Sequence, residues 1–296
     1  MFNKPFAMRI AIFGKNIASE NLGYMRQLIQ ELLNRSMEVM VYEPFSKYIP
    51  EEFHLDRFAK PEELAGHADL LFSIGGDGTM LDAVPLVGAS EIPMLGINMG
   101  RLGFISSVAK EEIPQAIEQI VKGRFTTESR TLLELVAPQG VFNDAGNYAL
   151  NEINIIRNPE HSLLSIKVFV NDLFLNTYWG DGILLATPTG STAYSLSAGG
   201  PILTPDSHCF VITPIAAHNL TVRPIVITDD SVVRIQVEGR EKQFVFSMDS
   251  HACALDTSVE LVVRKAAFDI RTVRLEGADF FSTIRNKLSW GKDNRN

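Results

Sequence analysis

Three stretches of the sequence carry residue types that could bind anions or move a proton. The shortest, Gly75–Thr79 (GGDGT), directly follows an apolar run that ends at Ile74. Its glycines allow positive φ and close approach of backbone N–H groups to phosphate oxygens, and Thr79 could cap a helix whose N-terminus favours anions. Phosphate would repel the Asp77 carboxylate unless Asp77 holds a cation or takes a proton. The alternative is an ordinary strand-to-helix turn with Asp77 as its cap.

The second stretch, Trp179–Pro201, holds five glycines and six serine or threonine residues in 23 positions. Asp181-Gly182 opens it, a hydroxyl-rich turn follows over Thr187–Thr192, and a helix is expected to start within Ala193–Ser197. Small residues let a flat aromatic ligand lie against the backbone, hydroxyls can read its edges, and Tyr194 can stack on it. The alternative is a long polar loop between strands, although loops of this length and composition are usually functional.

The third stretch is the pair Asn151-Glu152 at the start of the run NEINIIR. Neighbouring residues on a strand point to opposite faces, so one side chain could reach a ligand while the other faces water or orders a loop. An ordinary polar strand start is the alternative. His251 is ambiguous, because a histidine without metal-ligand spacing is usually a surface or core residue.

The first 125 residues predict the frame for the first motif. Apolar runs typical of buried strands alternate with segments of helical spacing, which indicates a parallel α/β sheet covered on both faces. In such a sheet, ligands bind beyond the carboxyl ends of the strands, where GGDGT stands. The predicted strands are 8–13, 38–42, 69–74 and 93–98; the predicted helices are 20–35, one starting near Met80 and kinked at Pro85, and 111–121.

After Phe125 the sequence becomes a series of short β-rich runs, which predicts a second, all-β domain of sandwich or layered-sheet type. Asn171-Asp172 is expected to form a tight hairpin turn between two of these runs. Residues 278–290 are predicted to form a helix that packs back on the first domain. The expected division is therefore an α/β nucleotide-binding domain, 1–125 with 276–296 returning to it, and a β-rich ligand-binding and oligomerisation domain, 126–275.

Composition narrows the function classes. The chain has 296 residues and a formal net charge of −8, which argues against wholesale binding to nucleic acid. Its two cysteines form no CxxC pair, and no run of about 18 apolar residues predicts a membrane span. We expect a cytoplasmic location with no nucleic-acid or membrane partner. The Walker A and protein-kinase motifs are also absent from the sequence.

Together, GGDGT, Asn151-Glu152 and Asp181-Gly182 followed by TPTGSTAYSLSAGGPI (187–202) resemble bacterial NAD kinases in order and spacing across nearly the whole chain. GGDGT alone is shared with diacylglycerol and sphingosine kinases, so the longer motif carries the specificity. The resemblance implies transfer of the ATP γ-phosphoryl group to the 2′-hydroxyl of the adenosine ribose of NAD. It also implies a divalent cation, normally Mg²⁺, a cleft between the two domains, and a homodimer or homotetramer built through the β domain.

The resemblance also implies residue roles. Asp77 matches the proton acceptor for the 2′-hydroxyl, Asn151 and Glu152 match a pair that contacts NAD, and no protein ligand for the metal follows from it. The implied phosphate or ATP loop is Gly75, Gly76, Gly78 and Thr79. The implied NAD-binding residues are Asp77, Gly78, Asn151, Glu152, Asp181, Thr192, Ala193, Tyr194, Ser195, Leu196, Ser197, Ala216 and His251.

Two positions depart from the family pattern. Trp179 stands where many bacterial members carry Arg, and His251 stands where many carry Gln, so their contacts with NAD do not carry over. Two alternatives from other function classes remain: a non-catalytic sensor of NAD or ADP-ribose, and a lipid or sugar kinase that shares GGDGT. A lipid kinase should show an apolar pocket for acyl chains, against which the hydroxyl-rich run 187–197 argues.

Overall fold

The structure, a computed structural model, describes residues 8–100, 102–142, 146–158, 163–239 and 242–290. They form two compact units. Unit 1 comprises the described residues up to Ser129 and from Ile270 onward, and unit 2 comprises those within Arg130–Asp269. Both ends of the described chain therefore belong to unit 1. Residues 1–7 and 291–296 of the expected first domain lie outside the described residues.

Unit 1 is built on a sheet of eight strands among the described residues, in the order β3-β2-β1-β4-β5-β20-β7 with β6 beside β5. The pairs from β3 through to β5 are parallel, as predicted. With strands numbered along the chain, the members are β1 (Arg9–Gly14), β2 (Glu38–Tyr42), β3 (Asp56–Phe58), β4 (Leu70–Ile74), β5 (Met94–Asn98), β6 (Val108–Ala109), β7 (Phe125–Arg130) and β20 (Ile270–Leu275).

Three helices of unit 1 follow the predicted pattern with shifted ends: α1 (Leu22–Asn34), α3 (Asp77–Val87) and α4 (Ile113–Val121). The short helix α2 (Pro61–Leu64) was not predicted. Helix α1 buries Met25, Leu28, Ile29 and Leu32, the i, i+3, i+4 spacing of one helix face. These side chains share one apolar core with the sheet and with the buried face of α4. Helix α3 begins at Asp77, three residues before the expected start, and runs through Pro85 to Val87.

The C-terminal part of the chain returns to unit 1. Strand β20 lies between β5 and β7, and pairs with β5 in parallel. The β-rich pattern after Phe125 predicts this strand for the second domain, because its apolar residues alone do not indicate which sheet it joins. Helix α6 (Phe280–Leu288) follows, and the Lys287 Nζ lies 5.5 Å from the centroid of the Phe104 ring in the same unit.

Unit 2 consists of two antiparallel sheets, each of six strands among the described residues, as the β-rich run predicts. Their inner faces share one apolar core, to which residues of both sheets contribute. One sheet has the order β12-β11-β16-β19-β8-β9: β8 (Leu133–Ala137), β9 (Tyr148–Ala149), β11 (Leu164–Val170), β12 (Leu173–Gly180), β16 (Val233–Glu238), β19 (Leu261–Lys265). The other has the order β15-β14-β13-β10-β17-β18: β10 (Glu152–Ile156), β13 (Gly182–Ala186), β14 (Cys209–Ile215), β15 (Ile225–Thr228), β17 (Gln243–Met248), β18 (His251–Asp256).

The predicted hairpin turn at Asn171-Asp172 is confirmed. It joins β11 to β12, and both residues have positive φ, 50° and 62°, as a two-residue turn of this kind requires. Strand β18 was not predicted. The short helix α5 (Tyr194–Ser197) lies within the predicted start of a helix at 193–197. None of the helices in the described ranges has the length and apolar character needed to cross a membrane.

Candidate functional site

The GGDGT loop of unit 1 connects β4 to α3 at the carboxyl edge of the sheet, where β4 lies between β1 and β5. Gly75 has a φ of +151°, and a Cβ there would lie 2.2 Å from the Thr79 Oγ1. The chain therefore requires glycine at this position. A Cβ on Gly76 or Gly78 would meet no atom within 4 Å, so the expectation that all three glycines serve positive φ is correct only for Gly75.

The Asp77 carboxylate is held by a neighbouring loop. It accepts hydrogen bonds from the backbone N–H groups of Phe104 (2.7 Å), Ile105 (3.1 Å) and Ser106 (2.8 Å), and from the Ser106 hydroxyl (2.7 Å). Asp77 does not cap α3, whose N-cap is Gly76, and Thr79 lies inside the helix instead of capping it. The sequence predicts repulsion between phosphate and the Asp77 carboxylate. The N–H donors around Asp77 provide favourable electrostatic partners that oppose this repulsion.

Sequence reasoning missed the loop that holds Asp77. The residues after β5, described at 99–100 and 102–106, leave the same edge of the sheet as GGDGT, because β5 is the neighbour of β4. A Cβ on Gly103 would lie 1.7 Å from the Asp77 Oδ1, which makes glycine necessary for the carboxylate to enter the loop. The signal was present: two glycines directly after a buried parallel strand.

In unit 2, Asn151 and Glu152 are both 8% exposed. Neither side chain therefore faces water, which leaves contact with a ligand and the ordering of a loop as the predicted roles. The Asn151 Oδ1 and the Glu152 Oε2 are buried without a hydrogen-bond partner among the described residues. Burial, and next the charge of Asp249, raise the pKa of Glu152 to about 8, against the opposing effect of a hydrogen bond from the Tyr194 backbone N–H. At neutral pH, Glu152 is mostly a neutral carboxylic acid.

Asp249 organises the start of β10. Its carboxylate accepts hydrogen bonds from the N–H groups of Leu150 (2.7 Å), Asn151 (2.9 Å) and Glu152 (3.0 Å). Asp249 itself adopts a φ of +47°, in the left-handed region, at the turn between β17 and β18. Sequence reasoning assigned no role to Asp249. No local pattern could have shown that it binds a backbone segment about a hundred residues away.

The hydroxyl-rich turn packs on the same segment. The Thr187 hydroxyl donates to the Leu150 carbonyl (2.5 Å), and the Thr187 N–H donates to the Asn151 carbonyl (2.9 Å). A Cβ on Gly190 would lie 2.0 Å from that Asn151 oxygen, so glycine permits the contact. The structure thus brings the second and third motifs together within unit 2.

Most hydroxyls of this segment have hydrogen-bond partners within the chain. A hydroxyl that donates to a carbonyl still keeps acceptor sites on its oxygen, so contact of these groups with a ligand stays a prediction. Ser191 donates to the Pro188 carbonyl (2.6 Å), Thr192 donates to the Thr189 carbonyl (3.1 Å), and Ser195 shares a hydrogen bond with Thr213 (3.0 Å). Such bonds to a residue three positions back stabilise a turn. The Tyr194 side chain is 40% exposed and can still stack on a ring.

Asp181 and Ala216 lie at the other end of β13. The Asp181 Oδ1 pairs with the Arg157 Nε at 2.6 Å, and the Asp181 N–H donates to the Ile215 carbonyl. Ala216 is exposed, has a φ of +44°, and its carbonyl lies against Gly180. The five-residue strand β13 separates this pair from Thr187 by about 15 Å. The predicted NAD-binding residues of unit 2 therefore fall into two groups.

The two departures from the family pattern differ in setting. Trp179 is 54% exposed on β12, and its indole N–H donates to the Ser165 hydroxyl (3.1 Å). His251 is the first residue of β18, two positions after Asp249, and its ring lies 5.9 Å from that of Phe142. His251 is thus next to the Asn151-Glu152 group.

Within the described residues, no group of three or more His, Cys, Asp or Glu side chains could hold a metal ion. The described residues therefore do not fit a metal site built from protein ligands alone. Mg²⁺ is commonly bound through substrate phosphates with few protein carboxylates, so this result concerns only a dedicated protein site.

Comparison with known proteins places this geometry in a family. Residues 10–125 match the model of the ATP-NAD kinase N-terminal domain, and residues 150–275 match that of the ATP-NAD kinase C-terminal domain. The NAD kinase of Christiangramia forsetii is 40% identical, with 98% of this chain and 100% of that protein covered. The NAD kinase of Bacteroides fragilis strain ATCC 25285 is 39% identical, with 97% and 100% covered.

Solved structures agree. Yeast NADH kinase in complex with NADH superimposes with a TM-score of 0.86 at 27% identity, covering 99% of this chain and 90% of that one. An NAD kinase from Archaeoglobus fulgidus in complex with ATP has the same fold, with a TM-score of 0.75 at 24% identity over 95% and 99% of the two chains. With both family models matched and the relatives aligned along nearly their full length, this chain belongs to the ATP-NAD kinase family of phosphotransferases.

Proposed function

We propose that the chain transfers the γ-phosphoryl group of ATP to the 2′-hydroxyl of the adenosine ribose of NAD, with Asp77 accepting the proton of that hydroxyl. NAD kinase function follows from the family; the role of Asp77 is our proposal. The observation that carries it is the set of four hydrogen bonds that fix the Asp77 carboxylate beyond the end of β4. A fixed carboxylate can act as a base without first being ordered by the substrate.

Phosphoryl transfer depends on positioning and charge neutralisation more than on covalent chemistry of the protein. In unit 1, the loop 75–79 opens α3 at the sheet edge, where backbone N–H groups can face phosphate oxygens. The Asp77 carboxylate takes the proton as the hydroxyl oxygen attacks the γ-phosphorus and the bond to the β-phosphate oxygen breaks. We assign no protein ligand to a divalent cation, and propose that Mg²⁺ is carried on the nucleotide's phosphates.

In unit 2, we propose that the group around Asn151 and Glu152 binds NAD. The Asn151 Oδ1 is an unsatisfied acceptor, and a mostly neutral Glu152 can both donate and accept hydrogen bonds. Those are the capacities that ribose hydroxyls and amide groups require. Solved relatives carry NADH and ATP, which supports small-molecule ligands of this type.

A homodimer or homotetramer and a cytoplasmic location remain predictions from the resemblance and from composition. Size-exclusion chromatography with light scattering would measure the oligomer. A mass of about 33 kDa in solution, the mass of one chain, would contradict the predicted oligomer.

The test of the catalytic proposal is Asp77→Asn. We expect turnover with ATP, Mg²⁺ and NAD to fall about 10²–10⁴-fold, the usual contribution of a general base, while NAD binding by calorimetry is retained. A variant within a few-fold of the parent would show that Asp77 is not the base.

Parallel assays with diacylglycerol and fructose-6-phosphate separate the lipid and sugar kinase alternatives, and NAD binding without NADP formation by the parent would indicate a sensor.

A further inference from the structure

The two oxygens of the Asp77 carboxylate are held unequally. Oδ1 accepts three hydrogen bonds, from the N–H groups of Ile105 (3.1 Å) and Ser106 (2.8 Å) and from the Ser106 hydroxyl (2.7 Å). Oδ2 accepts one, from the Phe104 N–H (2.7 Å). A carboxylate oxygen has about two lone-pair sites. Oδ1 is therefore saturated, and Oδ2 retains one site for a proton.

The direction of the Ser106 hydroxyl is fixed by its neighbour Asn98. The Gly100 N–H donates to the Asn98 Oδ1 at 2.7 Å, so the amide group of Asn98 must turn its Nδ2 toward the Ser106 Oγ, 3.0 Å away. Nδ2 can only donate, so the hydroxyl accepts this bond and sends its own proton to Asp77. The hydrogen bonds are therefore donated in one direction: from the Gly100 N–H to Asn98, from Asn98 to Ser106, and from Ser106 to the Asp77 Oδ1.

The two side chains of this hydrogen-bonded series are buried. Ser106 is 0% exposed and Asn98 is 3% exposed. Ser106 packs against β5, where a Cβ on Gly96 would lie 2.5 Å from the Ser106 Cα. Burial strengthens a hydrogen bond to a charged acceptor and raises the penalty for losing it.

We infer that Ser106, oriented by Asn98, is a positioning residue for Asp77: it occupies Oδ1 and leaves Oδ2 as the oxygen that takes the proton. This inference rests on the proposed role of Asp77 as the base. Ser106 does not touch substrate in this account, and acts only through the carboxylate.

The experiment is a double-mutant cycle of Ser106→Ala and Asp77→Asn, with kcat and the KM for NAD measured for each variant. Ser106→Ala removes the hydroxyl but keeps the backbone N–H donor to Oδ1. We expect kcat to fall about tenfold, in line with the loss of one hydrogen bond to a charged group, and KM to stay within about twofold. In the Asp77→Asn background, Ser106→Ala should cause no further loss.

The matched control is Ser107→Ala, which removes an exposed hydroxyl from the adjacent residue and should leave kcat unchanged. If Ser106→Ala fails to fold, Asn98→Asp tests the same chain without removing an atom from Ser106. An aspartate there would accept from the Ser106 hydroxyl and draw its proton away from Asp77, so kcat should again fall about tenfold or more.

Two results would overturn the inference: a kcat for Ser106→Ala within twofold of the parent, or an equal loss in both backgrounds, which would mark a role that bypasses Asp77. Failure of the proposed function itself is a separate outcome. It appears as near-parental turnover of Asp77→Asn alone.

Discussion

Asp77 in unit 1 and Asp249 in unit 2 use one physical device for two purposes. Each carboxylate accepts hydrogen bonds from three consecutive backbone N–H groups, of residues 104–106 and 150–152 respectively. Asp77 receives a further hydroxyl donor and sits at the start of α3. Asp249 sits in a turn and fixes the backbone that carries Asn151 and Glu152. In unit 1, Asp77 is itself the proposed base. In unit 2, Asp249 fixes the backbone of the residues proposed to bind NAD.

The difference shows that the role of a carboxylate among amides depends on what else faces it. Beside Asp77, the nearest partners are hydrogen-bond donors, namely three backbone N–H groups and the Ser106 hydroxyl. Beside Asp249 stands a second acid, Glu152, whose pKa is raised first by burial and then by the charge of Asp249. The charge of Asp249 opposes ionisation of Glu152, which is mostly neutral at neutral pH.

The largest effect is expected for Asp249→Ala. It leaves three N–H groups at the start of β10 without their acceptor, which at about 1–3 kcal/mol each lowers the free energy of unfolding by about 3 kcal/mol or more. Urea unfolding followed by circular dichroism measures this loss of stability.

Asp249→Asn, which keeps one acceptor oxygen, should raise the KM for NAD, whereas Asp77→Asn should lower kcat. If Asp249→Asn and Asp77→Asn both changed only kcat, the proposed division between NAD binding in unit 2 and catalysis in unit 1 would be wrong.

Glu152 predicts a pH dependence of stability. Its pKa is about 8 in the folded chain against 4.5 ordinarily, so between these values the folded state binds the extra proton. The free energy of unfolding therefore falls as pH rises from about 5 to 8, by roughly 4 kcal/mol in total. Glu152→Gln should abolish this slope, and the exposed Glu51→Gln should leave it intact. Urea unfolding at pH 5, 6.5 and 8 measures both; an unchanged slope in Glu152→Gln would refute the assignment.

A pair of glycine substitutions should give a smaller effect and separate the units again. A Cβ on Gly103 meets the Asp77 Oδ1, and a Cβ on Gly190 meets the Asn151 carbonyl oxygen. Each alanine should lower stability by about 1–3 kcal/mol, the usual penalty for overpacking. We expect Gly103→Ala to reduce kcat and Gly190→Ala to raise the KM for NAD. Gly78→Ala, whose Cβ would meet no atom, is the control for stability by thermal unfolding.

Much of the fold could be predicted because it depends on local patterns. Buried parallel strands are uninterrupted apolar runs, and β2 was predicted with its bounds, 38–42. Helices α1 and α4 show the apolar spacing of a single buried face. Strand β18 was missed because none of its residues is fully buried and its run Ala252-Cys253-Ala254 is small and weakly apolar, which gives little contrast with a loop.

The candidate site was predicted in its motifs but not in its connections. Glycine-rich composition revealed GGDGT and the turn at 187–192. The partners of Asp77 and Asp249 lie 27–29 and 97–99 residues away in sequence, and they are backbone groups, which carry no residue signature. The internal hydrogen bonds of the turn were not predicted, because sequence spacing does not show that Ser191 and Thr192 donate to carbonyls three residues back.

The position of β20 has a consequence for how the protein is made. Because this strand separates β5 from β7, a ribosome must synthesise all of unit 2 before the last member of the first sheet emerges. Until then the nascent chain exposes open strand edges at β5 and β7, the kind of surface that invites aggregation. Unit 2 is continuous in sequence, so all of its strands are synthesised without an intervening segment of unit 1. A chain truncated before Ile270 would keep every residue of GGDGT and yet lack the strand that completes the sheet beneath it.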